Sequence, residues 1–190
     1  MKQETIIIDA DFCIKVGGSS KYPYLEKVLP EIAEKVYVHK YVYEEEILTP
    51  ASAKAQLEAL KKQGILEVIS EDGLSKEARK VYNGTYNMLA KVMLNSNEPR
   101  KNQGEVRSLS MAKAKAIPYF VTDEKDLQPI IDEKLNNGIE DEDILCIRIE
   151  DIIAKIKNNE IQGFSRKAAK VLWVLAGKNK EDFDNSIWPA

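Results

Sequence analysis

Residues 102–126 read NQGEVRSLSMAKAKAIPYFVTDEKD, and this stretch decides the fold. After Gly104, Val106, Leu109 and Ala112 recur at helical spacing, which predicts a helix with Glu105 in its first turn. Tyr119–Val121 is a short apolar run bounded by Pro118 and by Thr122-Asp123, the pattern of a strand buried on both faces. A helix feeding a buried strand that ends in acid is one turn of a βαβ unit. The same cadence repeats outward in both directions.

Thr5–Ile8 is a compact apolar strand ending at Asp9. Lys35–Val38, Ile65–Ile69 and Ile144–Ile149 are further strand candidates. Between them, Thr49-Pro50 reads as a helix cap followed by proline at the first helical position, and Gly64 stops that helix. Ala78, Val81, Tyr82, Thr85, Leu89 and Val92 mark a long helix over about 75–95. Leu127, Ile130, Ile131 and Leu135 mark another, and Ile152, Ile153 and Ile156 follow the last strand. Ser165 caps a tail helix in which Ala169, Leu172 and Leu175 face inward, closed by Gly177. Strands alternating with helices imply a mostly parallel sheet flanked by helices, a three-layer α/β fold. Residues 1–162 read as one domain, and 163–190 as a helical appendage packed on it through Leu172, Leu175 and Trp173 or Trp188.

The composition agrees with a globular chain. Of 190 residues, 44% are hydrophobic and 31% charged, enough apolar material for a real core. The formal net charge of -3 excludes nucleic-acid binding by bulk charge, so such binding needs a local patch or a metal. Cys13 and Cys146 lie far apart among apolar residues and read as reduced core thiols. No apolar run approaches 18 residues, and the start MKQETIIID carries no leader pattern; the expectation is a cytoplasmic protein with no membrane segment.

In an open parallel sheet, ligands bind beyond the carboxyl ends of the strands. Asp9 and Asp123 end two strands, Glu105 opens the helix before the second of them, and Glu44-Glu45-Glu46 follows the strand around Lys35–Val38 and opens another helix. Four pieces of chain thus deliver carboxylates to one edge. Clustered carboxylates repel unless protons or cations intervene, and hard divalent cations take oxygen ligands. Each position also has a plainer reading. A strand-end Asp caps the next helix, and a Glu in a first turn answers the helix dipole.

Asp9 in IIIDADFCI, Glu45 in HKYVYEEEI, and Glu105 and Asp123 in the 102–126 segment resemble the acidic quartet of PIN-domain proteins. N-x-G-E, a small-residue helix, an apolar strand and T-D-x-x-D form the most specific part, and the resemblance spans roughly residues 5–150. It implies a metal-dependent ribonuclease, often of the toxin type, with Mg²⁺ or Mn²⁺ held by these acids. On that analogy Asp9 and Asp123 are principal ligands, Glu105 is a ligand or water orienter, and Glu45 completes the catalytic set, with the register among Glu44, Glu45 and Glu46 open by one. Asp11 falls where the family carries a supporting polar residue; Glu46, Glu124 and Asp126 are further supports. Arg100, Lys101 and Arg107 flank Glu105 and are the expected contacts to RNA phosphates. The implied partners are an RNA substrate, with room for an inhibitory protein and, through an exposed tail helix, a homodimer. The long helix and the tail depart from the compact family pattern.

Two other classes compete. A fold of this kind that binds RNA or protein without catalysis is one. A haloacid-dehalogenase-type phosphatase is the other, with Asp9 as nucleophile and Asp11 as general acid; Phe12 and Cys13 after Asp11 depart from that family's pattern. Gly17-Gly18-Ser19-Ser20 lacks the Gly-Lys ending of a phosphate loop and reads as a turn. His39, the single histidine, reads as a hydrogen-bonded residue at a strand end.

Overall fold

The computed structural model describes residues 2–138 and 143–189. Among them, β1 (Gln3–Ile8), β2 (Ala33–His39), β3 (Leu66–Ile69), β4 (Tyr119–Val121) and β5 (Leu145–Ile147) form one sheet in the order β3-β2-β1-β4-β5. Every pairing is parallel. β1 is central because its side chains have nowhere polar to point: Ile6, Ile7 and Ile8 are fully buried, each contributing about 1.5–3 kcal/mol.

Alternation along β1 divides the core in two. Ile6 and Ile8 face a layer built from α1 (Ala10–Val16), α2 (Tyr24–Ile32), α3 (Ala51–Lys62), α7 (Ile149–Lys157) and α8 (Arg166–Leu175). Ile7 faces α4 (Lys76–Met93), α5 (Gln103–Lys115) and α6 (Leu127–Lys134) through Tyr82, Leu89, Leu109 and Ile131. The result is the three-layer α/β sandwich expected, with the tail helix α8 built into the first layer. Ala169, Leu172, Trp173 and Phe183 of the tail are buried in the same cluster as Ile6 and Ile8. Ser165 Oγ accepts from the Ala168 amide at 3.2 Å, capping α8 as its sequence implies, and Gly177 closes it at φ +76.

Strand ends shift by one or two residues from expectation, and three differences have local reasons. β5 stops at Ile147 because Arg148 is a helix cap: its amide donates to Asp151 Oδ2 at 2.9 Å, drawing Ile149 into α7. Pro50 occupies the cap position of α3 rather than its first helical residue, with Ala51 beginning the helix. Val42–Glu46 forms one wide turn closed by the Ile47 amide on the Val42 carbonyl at 3.0 Å, not the start of a regular helix. Two helices of seven or more residues have no counterpart in the sequence reading: α1 follows Asp9 at once, and α2 precedes β2.

Register places the strand ends level. Ile8 pairs with Val38 on one side and Val121 on the other, and the Asp9 amide donates to the Val121 carbonyl at 3.0 Å. The residues just past β1, β2 and β4 therefore share one edge of the sheet.

Candidate active site

Asp9 is the innermost acid on that edge, only 1% exposed. Its Oδ1 accepts from the Ala10 amide at 2.6 Å, and its Oδ2 accepts from the Thr122 hydroxyl at 3.2 Å. Thr122 Oγ1 in turn accepts from the Glu124 amide at 3.1 Å, which fixes the hydroxyl that fixes Asp9. Glu46 arrives from the wide turn after β2 and lays Oε1 on the first turn of α5, 3.0 Å from the Gly104 amide. A side chain at position 104 would not fit there: a Cβ would stand 2.0 Å from Glu46 Oε2. Glu105 follows directly, half-buried in the same turn of α5.

Asp9 is buried and Glu46 and Glu105 are half-buried near it, and burial and like charge raise all three proton affinities. Burial, then Glu105, Glu46 and Asp11, push Asp9 well above the carboxylate range, against the Ala10 amide bond. Burial and Glu105 push Glu46 up to about 7. Burial raises Glu105, with Glu124 and Asp11 adding to it.

Asp123, past the end of β4, is also buried but is treated differently. Lys15 Nζ lies 3.0 Å from its Oδ2 and 2.6 Å from Asp11 Oδ2. Lys178 Nζ lies 3.0 Å from its Oδ1 and 2.9 Å from Glu150 Oε1. Sequence reasoning missed Lys15 and Glu150, and took Lys178 only as one of the basic tail residues, with Arg166, Lys167, Lys170 and Lys180, that could meet RNA phosphates beside the site. Lys15 had a signal, four residues after Asp11, and Glu150 follows the apolar run Ile144–Ile149 as Asp9 follows Thr5–Ile8, although it lies in the first turn of α7. Lys178 had none that distinguished it from its neighbours.

The structure thus brings Asp9, Asp11, Glu46, Glu105 and Asp123 to one edge and leaves others out. Glu45, expected to complete the set, is exposed, as is Glu44. The wide turn spends its inward positions on Val42 and Tyr43, sends the next two residues outward and returns only Glu46 to the site. Glu124 and Asp126 are exposed; Glu124 still raises Glu105 through space.

The expected basic trio also divides. Arg100 and Lys101 are exposed, with Lys101 Nζ 3.4 Å from Glu98. Arg107 is not a free surface cation. It pairs with Glu71 at 3.4 Å and stacks on the rings of Tyr41 and Tyr86 at 4.9 and 5.4 Å. Glu71 also faces His39 Nε2 at 3.2 Å, while His39 Nδ1 accepts from the Tyr41 amide at 3.1 Å. His39 is buried at the end of β2, where burial pulls its pKa down to about 4. Cys13 and Cys146 are free thiols.

The donor set suits a hard divalent cation by its chemistry: carboxylates, several with proton affinities raised by burial and then by their like-charged neighbours, with Asp9 aligned by Thr122. Six acids (Asp9, Asp11, Glu46, Glu105, Asp123, Glu150) meet only Lys15 and Lys178 as ion-pair partners among the described residues. No group of three or more His, Cys, Asp and Glu among the described residues is spaced as a ready metal cage. Among them, too, no helix is long and apolar enough to cross a membrane. In comparisons with known proteins, no family model, curated protein or solved structure matches the chain.

Proposed function

We propose that the chain is a PIN-like, metal-dependent ribonuclease that hydrolyses RNA phosphodiester bonds at the edge carrying Asp9, Glu46, Glu105 and Asp123. One observation carries the reading. Asp9, buried, and Glu46 and Glu105, half-buried, come from three separate segments to one edge with raised proton affinities and no lysine or arginine within ion-pair distance among the described residues. Folding such a cluster is costly unless a cation relieves it. The resemblance of residues 102–126 to PIN-domain proteins supplies RNA as substrate and Mg²⁺ or Mn²⁺ as the ion.

A divalent ion at these carboxylates would polarise the phosphate and ease deprotonation of water. The chain's own groups have separable tasks. Thr122 holds the Asp9 carboxyl in one orientation. Glu46, laid on the first turn of α5 by the Gly104 amide, would hold the ion beside Asp9 and Glu105. Lys15 and Lys178 present ammonium groups to phosphate oxygens. Reduced Cys13 and Cys146 are in keeping with a cytoplasmic location, and an inhibitory partner or a homodimer is compatible with this reading. A non-catalytic binding module is the second reading, favoured by the capture of both Asp123 oxygens by lysines.

The deciding experiment is cleavage of a labelled single-stranded RNA with Mg²⁺ or Mn²⁺, with and without a chelator. Glu105→Gln removes a charge at nearly constant size and should lower cleavage 10-fold or more, the scale for a supporting metal-site group. Cleavage unaffected by chelator and by Glu105→Gln would overturn the proposal. Phosphate release from a monoester with a covalent phosphate on Asp9 would assign the phosphatase instead.

A further inference from the structure

Lys178 is withdrawn from water and Lys15 lies at the rim of the site, its side chain 34% exposed. Trp173 Nε1–H donates to the Asn179 carbonyl at 2.7 Å, pinning the segment that carries Lys178 beside the end of α8. From there Lys178 enters the site with its side chain 14% exposed, against an Asp123 side chain only 4% exposed. Lys15 approaches the other oxygen of the same carboxylate from α1. Each lysine also holds a second acid, Asp11 for Lys15 and Glu150 for Lys178. Withdrawing an ammonium group from water is expensive and is repaid only by close opposite charge.

Positive charge is therefore distributed unevenly across the edge. Asp11, Asp123 and Glu150 share two ammonium groups. Asp9, Glu46 and Glu105 have none within ion-pair distance among the described residues, the Arg107 guanidinium reaching Glu46 only through space. In two-metal hydrolases a pair of ions about 3.5–4 Å apart clamps the attacking and leaving oxygens. Here the lysines already supply fixed positive charge on the Asp123 side, so that side has little left to offer a second ion.

We propose that Lys15 and Lys178 together replace one cation of a two-cation centre, so that the chain binds a single divalent ion, on the side of Asp9, Glu46 and Glu105. The inference rests on the metal-dependent reading of the edge. An ammonium group can donate to a phosphate oxygen and offset charge, but it is no Lewis acid for water. The lysines are thus positioning groups for phosphate. The arrangement also makes the tail beyond α8 a structural part of the site.

Counting bound Mn²⁺ per chain tests this without any activity assay. Calorimetry, with free Mn²⁺ followed by electron paramagnetic resonance, should give one ion for the unmodified chain and two for the Lys15→Met/Lys178→Met double variant. Two ions in the unmodified chain would overturn the proposal. One ion in both chains would also overturn it, leaving the lysines as braces for the tail and the metal-dependent reading intact. No binding by either chain would remove that reading and this inference with it. Circular dichroism melts establish that the double variant folds. If it does not, Lys178→Met alone, which keeps Lys15, supplies the second count and should show a second, weaker ion.

Discussion

Glu46 sits on the first turn of α5 in a space that exists only because residue 104 is glycine: its Oε1 is 3.0 Å from the Gly104 amide, and its Oε2 is where a Cβ at position 104 would intrude. The contact joins the turn after β2 to the helix before β4 and aims a carboxyl at Asp9 and Glu105. Gly104→Ala should expel that carboxyl rather than break the fold, since the displaced atoms are the far end of a flexible side chain. Stability should stay within about 1 kcal/mol, because alanine is the better helix former, while Mn²⁺ affinity drops. Thermal melts and a Mn²⁺ titration measure the two effects separately. A large loss of stability with unchanged affinity would contradict this account of the contact.

The three consecutive glutamates should behave very differently. Glu44 and Glu45 are exposed and Glu46 is half-buried against the site. Glu46→Gln should weaken Mn²⁺ binding by 10-fold or more. Glu45→Gln should leave it within about 2-fold, the most that screening allows a solvated charge. Parallel titrations of the two variants decide the register; equal losses would mean that the wide turn is wrongly phased.

How far the chain was legible depends on whether information was local. TIIID and PYFVTD announce buried strands ending in acid because apolar β-branched and aromatic runs have few other uses. α1 and α2 stayed hidden: α1 is only seven residues long before Gly17-Gly18, and Pro30 lies inside α2. Choosing among Glu44, Glu45 and Glu46 required the phase of the wide turn, whose closure by the Ile47 amide on Val42 no periodicity displays. Lys15 and Lys178 find Asp123 across 108 and 55 residues of chain. Nothing near Lys178 separates it from Lys167, Lys170 or Lys180.

The tail should prove part of the core. Leu172 is fully buried beside Trp173 and Phe183 in the cluster that contains Ile6 and Ile8. Leu172→Ala should cost about 2–5 kcal/mol, as buried leucine truncations do, and unfolding should remain one transition. Urea denaturation checks both. A loss below about 1 kcal/mol would show the tail to be loosely attached, and with it Lys178.

Two groups give stability opposite pH slopes over nearly the same range. Glu46 has a folded pKa of about 7 against an ordinary 4.5, so between those values the folded chain holds a proton that the unfolded chain has lost. Stability from Glu46 therefore rises as pH falls through that window. His39 has a folded pKa of about 4 against 6.5; there the unfolded chain takes the proton first, and acidification costs stability. The raised Asp9 and Glu105 act with Glu46. Removing one contributor with Glu46→Gln should make the melting temperature fall more steeply, or rise less, between pH 6.5 and 4.5 than in the unmodified chain. Identical profiles without added metal would contradict the raised Glu46 carboxyl.

Because His39 is the chain's single histidine, its imidazole proton resonance can be followed without ambiguity and reports on Arg107. Burial lowers its affinity for a proton, Glu71 raises it, and the Arg107 guanidinium lowers it again. Arg107 also holds Glu71 Oε1 at 3.4 Å and so competes for the carboxylate that favours the imidazolium. The unmodified chain should titrate at about 4. In Arg107→Ala the repulsive charge is gone and Glu71 turns wholly to His39, so the midpoint should move upward. Arg100→Ala, at an exposed position, should leave it in place. The comparison bears on substrate contacts as well as on the network. A midpoint unmoved by Arg107→Ala would mean that the guanidinium is not packed between Tyr41 and Tyr86, and would return Arg107 to the surface beside Arg100 and Lys101, where a phosphate backbone could meet all three.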